Sequence, residues 1–218
     1  MKFTSDSFRQ FYLNDLQTLP DPEHDRHVKV RNIQPWLDIE STCKESFIDL
    51  SQIGERRVFA WSDLHFYHNN IIRYSGRPFE DVDNMNQQLI ERYNSVVQDG
   101  DIVVFGGDIA FKNDSDANAI LDQLKGYKIQ IVGNHDIDRK GKLKKLNFDE
   151  THLCLCVDVY GHSLLFTHYP LYTVPVGYVN VHGHIHDRPA PSERHLNICV
   201  EHTNYAPALL CDLLKDVK

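Results

Sequence analysis

Three short apolar runs, each followed at once by Ser, Gly, Asp, Asn or His, constrain the fold of this chain most. They are RVFAWSD at 57–63, DIVVFGGD at 101–108 and YKIQIVGNHD at 127–136. Two segments with apolar residues at helical spacing separate them, DVDNMNQQLIERYNSVV at 81–97 and DSDANAILDQLKG at 114–126. This β-α-β-α-β order predicts parallel strands joined by helical crossovers, and therefore an α/β fold.

The two helical segments also carry signals for their ends. Asp81 or Asp83 is a candidate N-cap of the first helix, because a short acidic side chain can accept a hydrogen bond from the first free backbone N–H groups. Gly126 closes the second segment, and glycine is common just after the last helical residue. We therefore expect a second helix that continues up to Gly126.

The chain becomes strand-rich after a basic stretch, RKGKLKKL at 139–146, which we interpret as a solvated helix face. THLCLCVDVYGHSLLFTHYP at 151–170 predicts two strands around Tyr160-Gly161-His162, in the manner of a hairpin. YVNVHGHIHD at 178–187 and HLNICVE at 195–201 predict two more strands.

Residues 1–56 have a different character. SDSFRQFYLNDLQTL and DIESTCKESFIDL show helical spacing of apolar residues, with the Pro- and charge-rich break PDPEHDRH between them. We predict a helical N-terminal extension over 1–56 and a main domain over 57–218. The extension contains no motif with an obvious chemical role, and its protein partner, if it has one, is unknown.

The composition of the chain indicates in which cellular compartment the protein works and which partners are unexpected. The start MKFTSDSFRQF lacks the apolar core of a signal peptide, and no apolar run is long enough to span a bilayer. The five cysteines are odd in number and form no C-x-x-C, so we expect free, buried thiols in a cytoplasmic protein with no membrane partner. The formal net charge of -8 argues against a surface that coats nucleic acid.

Polar side chains gather at the ends of the apolar strands. Each motif alone fits a turn or a tight loop, but several in one chain point to the carboxyl edge of an open α/β sheet, where ligands bind. The donors are carboxylate, amide and imidazole without thiolate, a set that suits Mn²⁺, Fe²⁺ or Zn²⁺. The candidates are too many for one ion, whereas two divalent ions sharing one carboxylate would use them all. These seven candidates are Asp63, His65, Asp108, Asn134, His168, His184 and His186.

The series Asp-x-His, Gly-Gly-Asp, Gly-Asn-His-Asp, His and Gly-His-x-His, in this order, resembles the calcineurin-like metallophosphoesterases over about residues 57–200. Within that superfamily the chain is most similar to the small bacterial and phage-type phosphoesterases, which also tend to carry a segment like HNNIIRYSGRPF. The resemblance implies a four-layer α-β-β-α sandwich with two mixed sheets. It also implies a first ion on Asp63, His65 and His186, a second on Asn134, His168 and His184, and a bridging Asp108.

The resemblance further implies roles for the residues after Asn134. His135 would point at the substrate to stabilise the transition state or protonate the leaving oxygen, and Asp136 would hold that imidazole and favour its protonated form. A hydroxide between the metals would attack phosphorus, so no Ser or Cys nucleophile is expected. Phe66 stands where many phosphatase relatives have glycine, which suggests an altered mouth of the site.

Four further residues are candidates for contact with substrate: His68, Asn69, Arg73 and Arg77. A role in shaping the loop is the alternative for His68, and a surface or structural role is the alternative for the other three. Arginine suits bidentate phosphate contact, but Arg77 before Pro78 also fits the anchor of a turn. His182 alternates with His184 and His186, and we expect it to support the ligands rather than to be one.

The predicted function is a phosphoesterase that uses two divalent metal ions, with manganese first and iron, zinc or nickel as alternatives. The expected substrate is a phosphodiester of a nucleotide or of a nucleic-acid end. The alternatives are a monoesterase acting on a small metabolite, a non-catalytic scaffold with this fold, and a nuclease that works within a complex.

Overall fold

The structure is a computed structural model that describes residues 56–138 and 141–217. The predicted N-terminal extension over 1–56 lies outside the described residues apart from Arg56, so it stays a prediction. No helix within the described ranges is long and apolar enough to cross a membrane.

The first sheet contains the three apolar runs. Its strands are β1 (Val58–Trp61), β2 (Ile102–Phe105), β3 (Tyr127–Ile131), β4 (Glu150–His152) and β9 (Ala208–Leu209), in the order β4-β3-β2-β1-β9. The strands β1, β2 and β3 are parallel, as their helical crossovers predict. The strand β4, which the sequence did not predict, is parallel to β3, and β9 is antiparallel to β1. The sheet is therefore mixed.

The second sheet has the order β5-β6-β7-β8, with β5 (Leu155–Val159), β6 (His162–Thr167), β7 (Tyr178–His182) and β8 (His195–Asn197). The predicted hairpin is confirmed, because β5 and β6 are antiparallel and Val159 pairs with His162. The two turn residues, Tyr160 and Gly161, have φ of 50° and 80°. Positive φ at both positions matches the twist of the flanking strands. The other neighbours in this sheet are parallel.

The helices are α1 (Asn69–Tyr74), α2 (Val82–Val96), α3 (Asp114–Leu121) and α4 (Leu210–Leu213). Asp81 is the N-cap of α2, and its side chain accepts the Asn84 N–H. The prediction that Gly126 ends α3 is wrong: α3 stops at Leu121, and i→i−3 bonds tighten the chain through Leu124. Gly126, with φ of 84°, belongs instead to the turn before β3. The described part of the basic stretch, from 141 on, is not helical.

Apolar side chains alternate across the strands and so bury both faces of the first sheet. Phe59, Trp61, Val103 and Phe105 pack with α2 and α3, while the alternate positions Val58, Ala60, Ile102 and Val104 pack against the second sheet. Leu165 on the other face of the second sheet packs against the loop after β6. The result is an α/β fold with two mixed sheets flanked by helices, which confirms the predicted sandwich.

The two sheets meet at one edge, where an isolated parallel bridge joins Ser62 to Cys199. Ser62 directly follows β1, and Cys199 lies just beyond β8. The carboxyl ends of the parallel strands of both sheets therefore approach each other, and the motifs that follow them share one site.

Candidate active site

The residues predicted to hold the first ion lie together at this edge. One ligand atom from each of Asp63, His65 and His186 lies within 4.8 Å of the others. Asp63 Oδ1 is 3.7 Å from His65 Nε2 and 3.9 Å from His186 Nε2. The order of the motifs along β1 and β7 thus brings together one carboxylate and two imidazoles from distant parts of the chain.

The atoms that face this space fit a cation. Asp63 Oδ1 and His65 Nε2 are buried and have no hydrogen-bond partner among the described residues. Asp63 Oδ2, by contrast, accepts hydrogen bonds from Ser62 Oγ (2.6 Å), His184 N (2.8 Å) and Cys199 Sγ (3.3 Å). A buried polar atom without a partner is costly, and a bound ion would satisfy both atoms at once.

A second group of candidate ligands lies beside the first and consists of Asp108, His168 and His184. His168 Nδ1 lies 2.7 Å from the Gly106 carbonyl, so the ring donates there and directs the Nε2 lone pair inward. Nε2 faces Asn134 Oδ1 at 2.9 Å and Asp108 Oδ1 at 3.5 Å. Three electron-rich atoms therefore converge, an arrangement that a divalent cation would stabilise.

The Asp108 carboxylate lies between the two groups. Its Oδ2 is 3.7 Å from His65 Nε2, and its Oδ1 is 3.5 Å from His168 Nε2. Burial raises the pKa of Asp108 well above its usual value, and the nearby charges of Asp63 and Asp136 raise it further. The site thus holds more negative charge than an apolar surrounding tolerates without cations. A bridging role for Asp108 stays a prediction.

Most of the predicted ligands have left-handed backbone conformations, which non-glycine residues rarely adopt. Such conformations cost about 1–3 kcal/mol each and cluster at functional sites. Backbone hydrogen bonds between the loops help to impose them, as from His65 N to Asp108 O at 3.1 Å. The ligands concerned are Asp63 (φ 58°), His65 (52°), Asp108 (55°), His184 (69°) and His186 (50°).

Two glycines are required by close packing around these ligands. A Cβ at Gly133 would collide with the Asp108 carboxylate, and a Cβ at Gly183 would collide with Ser62 Oγ and Asp63 Oδ2. The space beside Gly133 and Gly183 therefore belongs to candidate ligands and the groups that hold them.

Asp136 has a different role from the predicted one. Its Oδ2 accepts the backbone N–H groups of Asp108 (3.0 Å) and Gly133 (2.9 Å), and its Oδ1 accepts that of Ile109 (3.0 Å). The prediction that it holds the His135 imidazole is wrong in this structure, because both oxygens serve the backbone. Asp136 ties the loop after β2 to the loop after β3.

His135 lies at the mouth of the site, with 39% of its side chain exposed and Nε2 3.9 Å from Asp108 Oδ2. Its ring packs on Phe111, with centroids 4.4 Å apart. Burial, and to a lesser extent the neighbouring histidines, lowers the pKa of His135 to about 4. The expected protonated form is therefore not favoured by the protein's own groups.

The candidates for substrate contact separate into three kinds. His68 lies inside the site, with Nδ1 3.4 Å from His65 Nδ1 and its ring stacked on Phe111 at 3.8 Å. Asn69 and Arg73 are exposed on α1. Arg77 is buried, and it donates to Glu201 and to the carbonyls of residues 63 and 64. Its assignment to substrate is wrong, because these partners occupy the guanidinium.

Phe66 and His182 were also expected to lie near the site. Phe66 is fully buried and forms an isolated bridge with Ala110, so it does not shape the mouth. His182 is also buried, and its Nδ1 lies 2.9 Å from the Gly183 carbonyl. It therefore contacts the backbone next to His184, and a role in supporting the ligands stays a prediction.

Four residues of the site were not predicted from the sequence: Ser62, Phe111, Cys199 and Glu201. Ser62 and Cys199 fix the orientation of the Asp63 carboxylate, and Phe111 packs against three histidines. Cys199 is a free, buried thiol, as expected, but its contact with Asp63 was not. The polar pair Ser62-Asp63 was a usable signal; no local pattern distinguishes the other three, since their partners are far away in the chain.

Comparison with known proteins places the chain beside uncharacterized relatives. No protein-family model matches it. The crystal structure of a protein of unknown function from Aquifex aeolicus, AQ665, superposes with a TM-score of 0.59 and 23% identity, covering 74% of this chain and 99% of that one, and supports the fold. YfcE, a phosphoesterase from E. coli, superposes with 17% identity over 66% of this chain and 78% of that one. Its TM-score of 0.33 is too low to support an argument.

A curated relative gives the firmer link. The uncharacterized protein MJ1445 of Methanocaldococcus jannaschii is 33% identical over 171 residues, which covers 73% of this chain and 90% of that protein. The chain belongs to the same protein family as this archaeal relative.

Proposed function

We propose that the protein is a phosphoesterase that uses two divalent metal ions. The observation that supports this most is the meeting of two largely buried ligand groups, Asp63-His65-His186 and Asp108-His168-His184, at the carboxyl edge of both sheets. The motif series that resembles the calcineurin-like metallophosphoesterases supplies the reaction class.

The residues that would hold the ions follow from the two groups. Asp63, His65 and His186 would hold one ion, Asn134, His168 and His184 the other, and Asp108 would contact both. When bound, two such ions would lower the pKa of a water so that hydroxide exists at neutral pH, and would neutralise charge on the phosphoryl oxygens. The oxygen and imidazole donors suit manganese first, with iron, zinc or nickel as alternatives.

The chain's own groups at the mouth would orient the ester. His135 is the partly exposed imidazole beside Asp108, and it is the group placed to donate a hydrogen bond to a phosphoryl or leaving oxygen. Phe111 and His68 form an aromatic wall next to it, which would exclude water from one side. Asp136 would act indirectly, by fixing the backbone that presents Asp108 and His135.

The substrate is proposed to be a phosphodiester of a nucleotide or of a nucleic-acid end. Support comes from the aromatic wall and from Tyr74 beyond it, whose side chain is 65% exposed and 6.3 Å from the His68 ring. Aromatic rings near a phosphate site can stack on a base. A monoester of a small metabolite is the alternative within the same reaction class.

The test is metal-dependent hydrolysis by the purified full-length protein. The protein is stripped with a chelator, resupplied separately with Mn²⁺, Ni²⁺, Mg²⁺ or Zn²⁺, and assayed on bis-p-nitrophenyl phosphate and on p-nitrophenyl phosphate. Asp108→Asn and His135→Ala are the site variants. His162→Ala is the matched control, because His162 begins β6 at the end opposite His168.

We expect Mn²⁺ to restore hydrolysis of the diester, with loss of activity in both site variants and wild-type activity in His162→Ala. A preference for the monoester would retain the phosphoesterase assignment and replace the diester substrate. Absence of hydrolysis of either compound with every metal, in a folded protein that binds the ions, would refute the proposed function.

A further inference from the structure

A buried ion pair between Arg77 and Glu201 lies directly behind the first ligand group, joining residues 124 positions apart. We infer that this pair positions Asp63, His65 and His186 for a divalent cation, with Glu201 orienting the His186 ring and Arg77 fixing the loop after β1. The inference rests on the metal use proposed above and identifies residues that determine the affinity of one of the two sites.

The pair is shielded from solvent. The Arg77 side chain is 0% exposed and that of Glu201 is 5% exposed. Glu201 Oε1 accepts from Arg77 Nε at 2.9 Å and lies 2.8 Å from a terminal guanidinium nitrogen. The two charges are therefore neutralised by each other, and solvent does not compete for their positions.

Arg77 reaches the first ligand group through the backbone. Its two terminal nitrogens donate to the carbonyls of Leu64 (2.8 Å) and Asp63 (2.7 Å). These carbonyls belong to the short loop in which Asp63 and His65 have positive φ. The guanidinium thus stabilises the unfavourable backbone conformation that points both side chains into the site.

Glu201 reaches the same group through His186. Its Oε1 lies 3.4 Å from His186 Nδ1, and Nε2 of that ring lies 3.9 Å from Asp63 Oδ1. A carboxylate beside Nδ1 favours the tautomer with the proton on Nδ1, which leaves the Nε2 lone pair directed at the candidate cation site.

In the second ligand group a backbone carbonyl takes the place of Glu201 and forms a hydrogen bond, whereas Glu201 Oε1 and His186 Nδ1 are in a longer ion-pair contact. There the Gly106 carbonyl lies 2.7 Å from His168 Nδ1, and Nε2 faces the other donors. A backbone carbonyl cannot be removed by substitution, whereas Glu201 can. The two candidate sites should therefore respond differently to a mutation at residue 201.

Stability alone does not account for Glu201. Its Oε2 is buried without a hydrogen-bond partner among the described residues. Glu150, a comparable buried glutamate, has both oxygens satisfied, by Tyr127 Oη at 3.0 Å and His152 Nε2 at 2.7 Å. Buried ion pairs rarely improve stability over apolar packing, so the value of the Arg77–Glu201 pair lies in where it places its partners.

The experiment measures metal binding rather than hydrolysis. Full-length wild-type protein, Glu201→Gln, Glu201→Asp and the control Glu150→Gln are stripped with a chelator and titrated with Mn²⁺ by isothermal titration calorimetry. Glu150 is a suitable control because, like Glu201, it is a buried glutamate that contacts a histidine. Its histidine, however, belongs to the edge strand β4 and to neither ligand group. Melting curves in chelator report the folding of each variant.

We expect wild type to bind two Mn²⁺ ions. Glu150→Gln should bind two ions as well, each with the same affinity as the corresponding site of wild type. Glu201→Gln should weaken one of the two sites by roughly 10–100-fold, the usual effect of losing the carboxylate behind a ligating histidine, and leave the other unchanged. Glu201→Asp keeps the charge but retracts it by one methylene, so it should give an intermediate affinity.

Wild-type affinity at both sites in a folded Glu201→Gln would overturn the inference, and so would equal weakening of both sites. If Glu201→Gln does not fold, Glu201→Asp decides: a weaker single site supports the inference, and unchanged binding overturns it. Failure of the proposed function can be distinguished from failure of this inference. If wild type binds two ions but hydrolyses nothing, the proposed function fails, while the binding measurements still test the role of Glu201. A wild type that binds no divalent ion overturns both.

Discussion

Replacement of Asp136 by asparagine tests whether this residue is a backbone anchor or a partner of His135. The carboxylate accepts three backbone N–H groups at 2.9–3.0 Å, from residues 108, 109 and 133, and is fully buried. Asparagine has the same shape but only one acceptor oxygen. If that oxygen keeps the N–H groups of residues 108 and 133, the new NH2 group faces the N–H of Ile109, and two donors meet.

The expected loss follows from these contacts. Hydrogen bonds to a charged group contribute about 1.5–3 kcal/mol each, and neutral ones about 1 kcal/mol. One charged bond is lost and two become neutral, while removal of a buried charge offsets part of the loss. We expect a net decrease of about 2–4 kcal/mol in the free energy of unfolding. For a chain of this length that corresponds to a decrease in Tm of roughly 5–15 °C.

The measurement is urea unfolding in the presence of a chelator, so that metal binding does not contribute. Asp149→Asn is the matched control, because the exposed Asp149 carboxylate accepts a single backbone N–H, from Lys128 at 2.8 Å. We expect the control to lie within about 1 kcal/mol of wild type. If Asp136→Asn is also within that limit and yet abolishes hydrolysis, the anchor interpretation is refuted, and Asp136 acts through the His135 ring.

Three further predictions concern metal, packing and acid. Mn²⁺ at 100 times its dissociation constant should stabilise the stripped protein by about 2.7 kcal/mol per site, and an unchanged melting curve would contradict metal binding. Gly183→Ala should weaken Mn²⁺ binding in calorimetry, because its Cβ would collide with the Asp63 carboxylate, whereas Gly100→Ala, which meets open space, should not; equal binding would contradict the packing argument. Burial lowers the pKa of His195 below 6.5, so the unfolded chain binds more protons and stability decreases as pH falls through 6.5. His195→Gln should flatten that decline in urea unfolding with chelator between pH 7 and pH 5; equal slopes would count against it.

The sequence by itself determined the three central strands of the first sheet, their parallel order, the strands of the second sheet and the edge at which the site lies; it did not indicate β4 or β9. These features depend on local patterns: an apolar run forms a buried strand, an intervening helix makes the next strand parallel, and polar residues after each strand meet at one end. The six histidine and aspartate ligands of the two groups were predictable for this reason, since each lies in the loop that follows a strand. The hairpin at Tyr160-Gly161 was predictable because its turn is set by adjacent residues.

Only the tertiary structure decided how these side chains are supported. Arg77 and Glu201 meet across 124 residues, and Cys199 reaches Asp63 across 136, so no local pattern marks them as partners. Asp136 sits beside His135 in sequence, yet its carboxylate turns to the backbone of another loop. A short motif restricts which donors come to the edge of a sheet, but the acceptors that each one meets depend on how the loops pack, and that packing brings together residues distant in sequence.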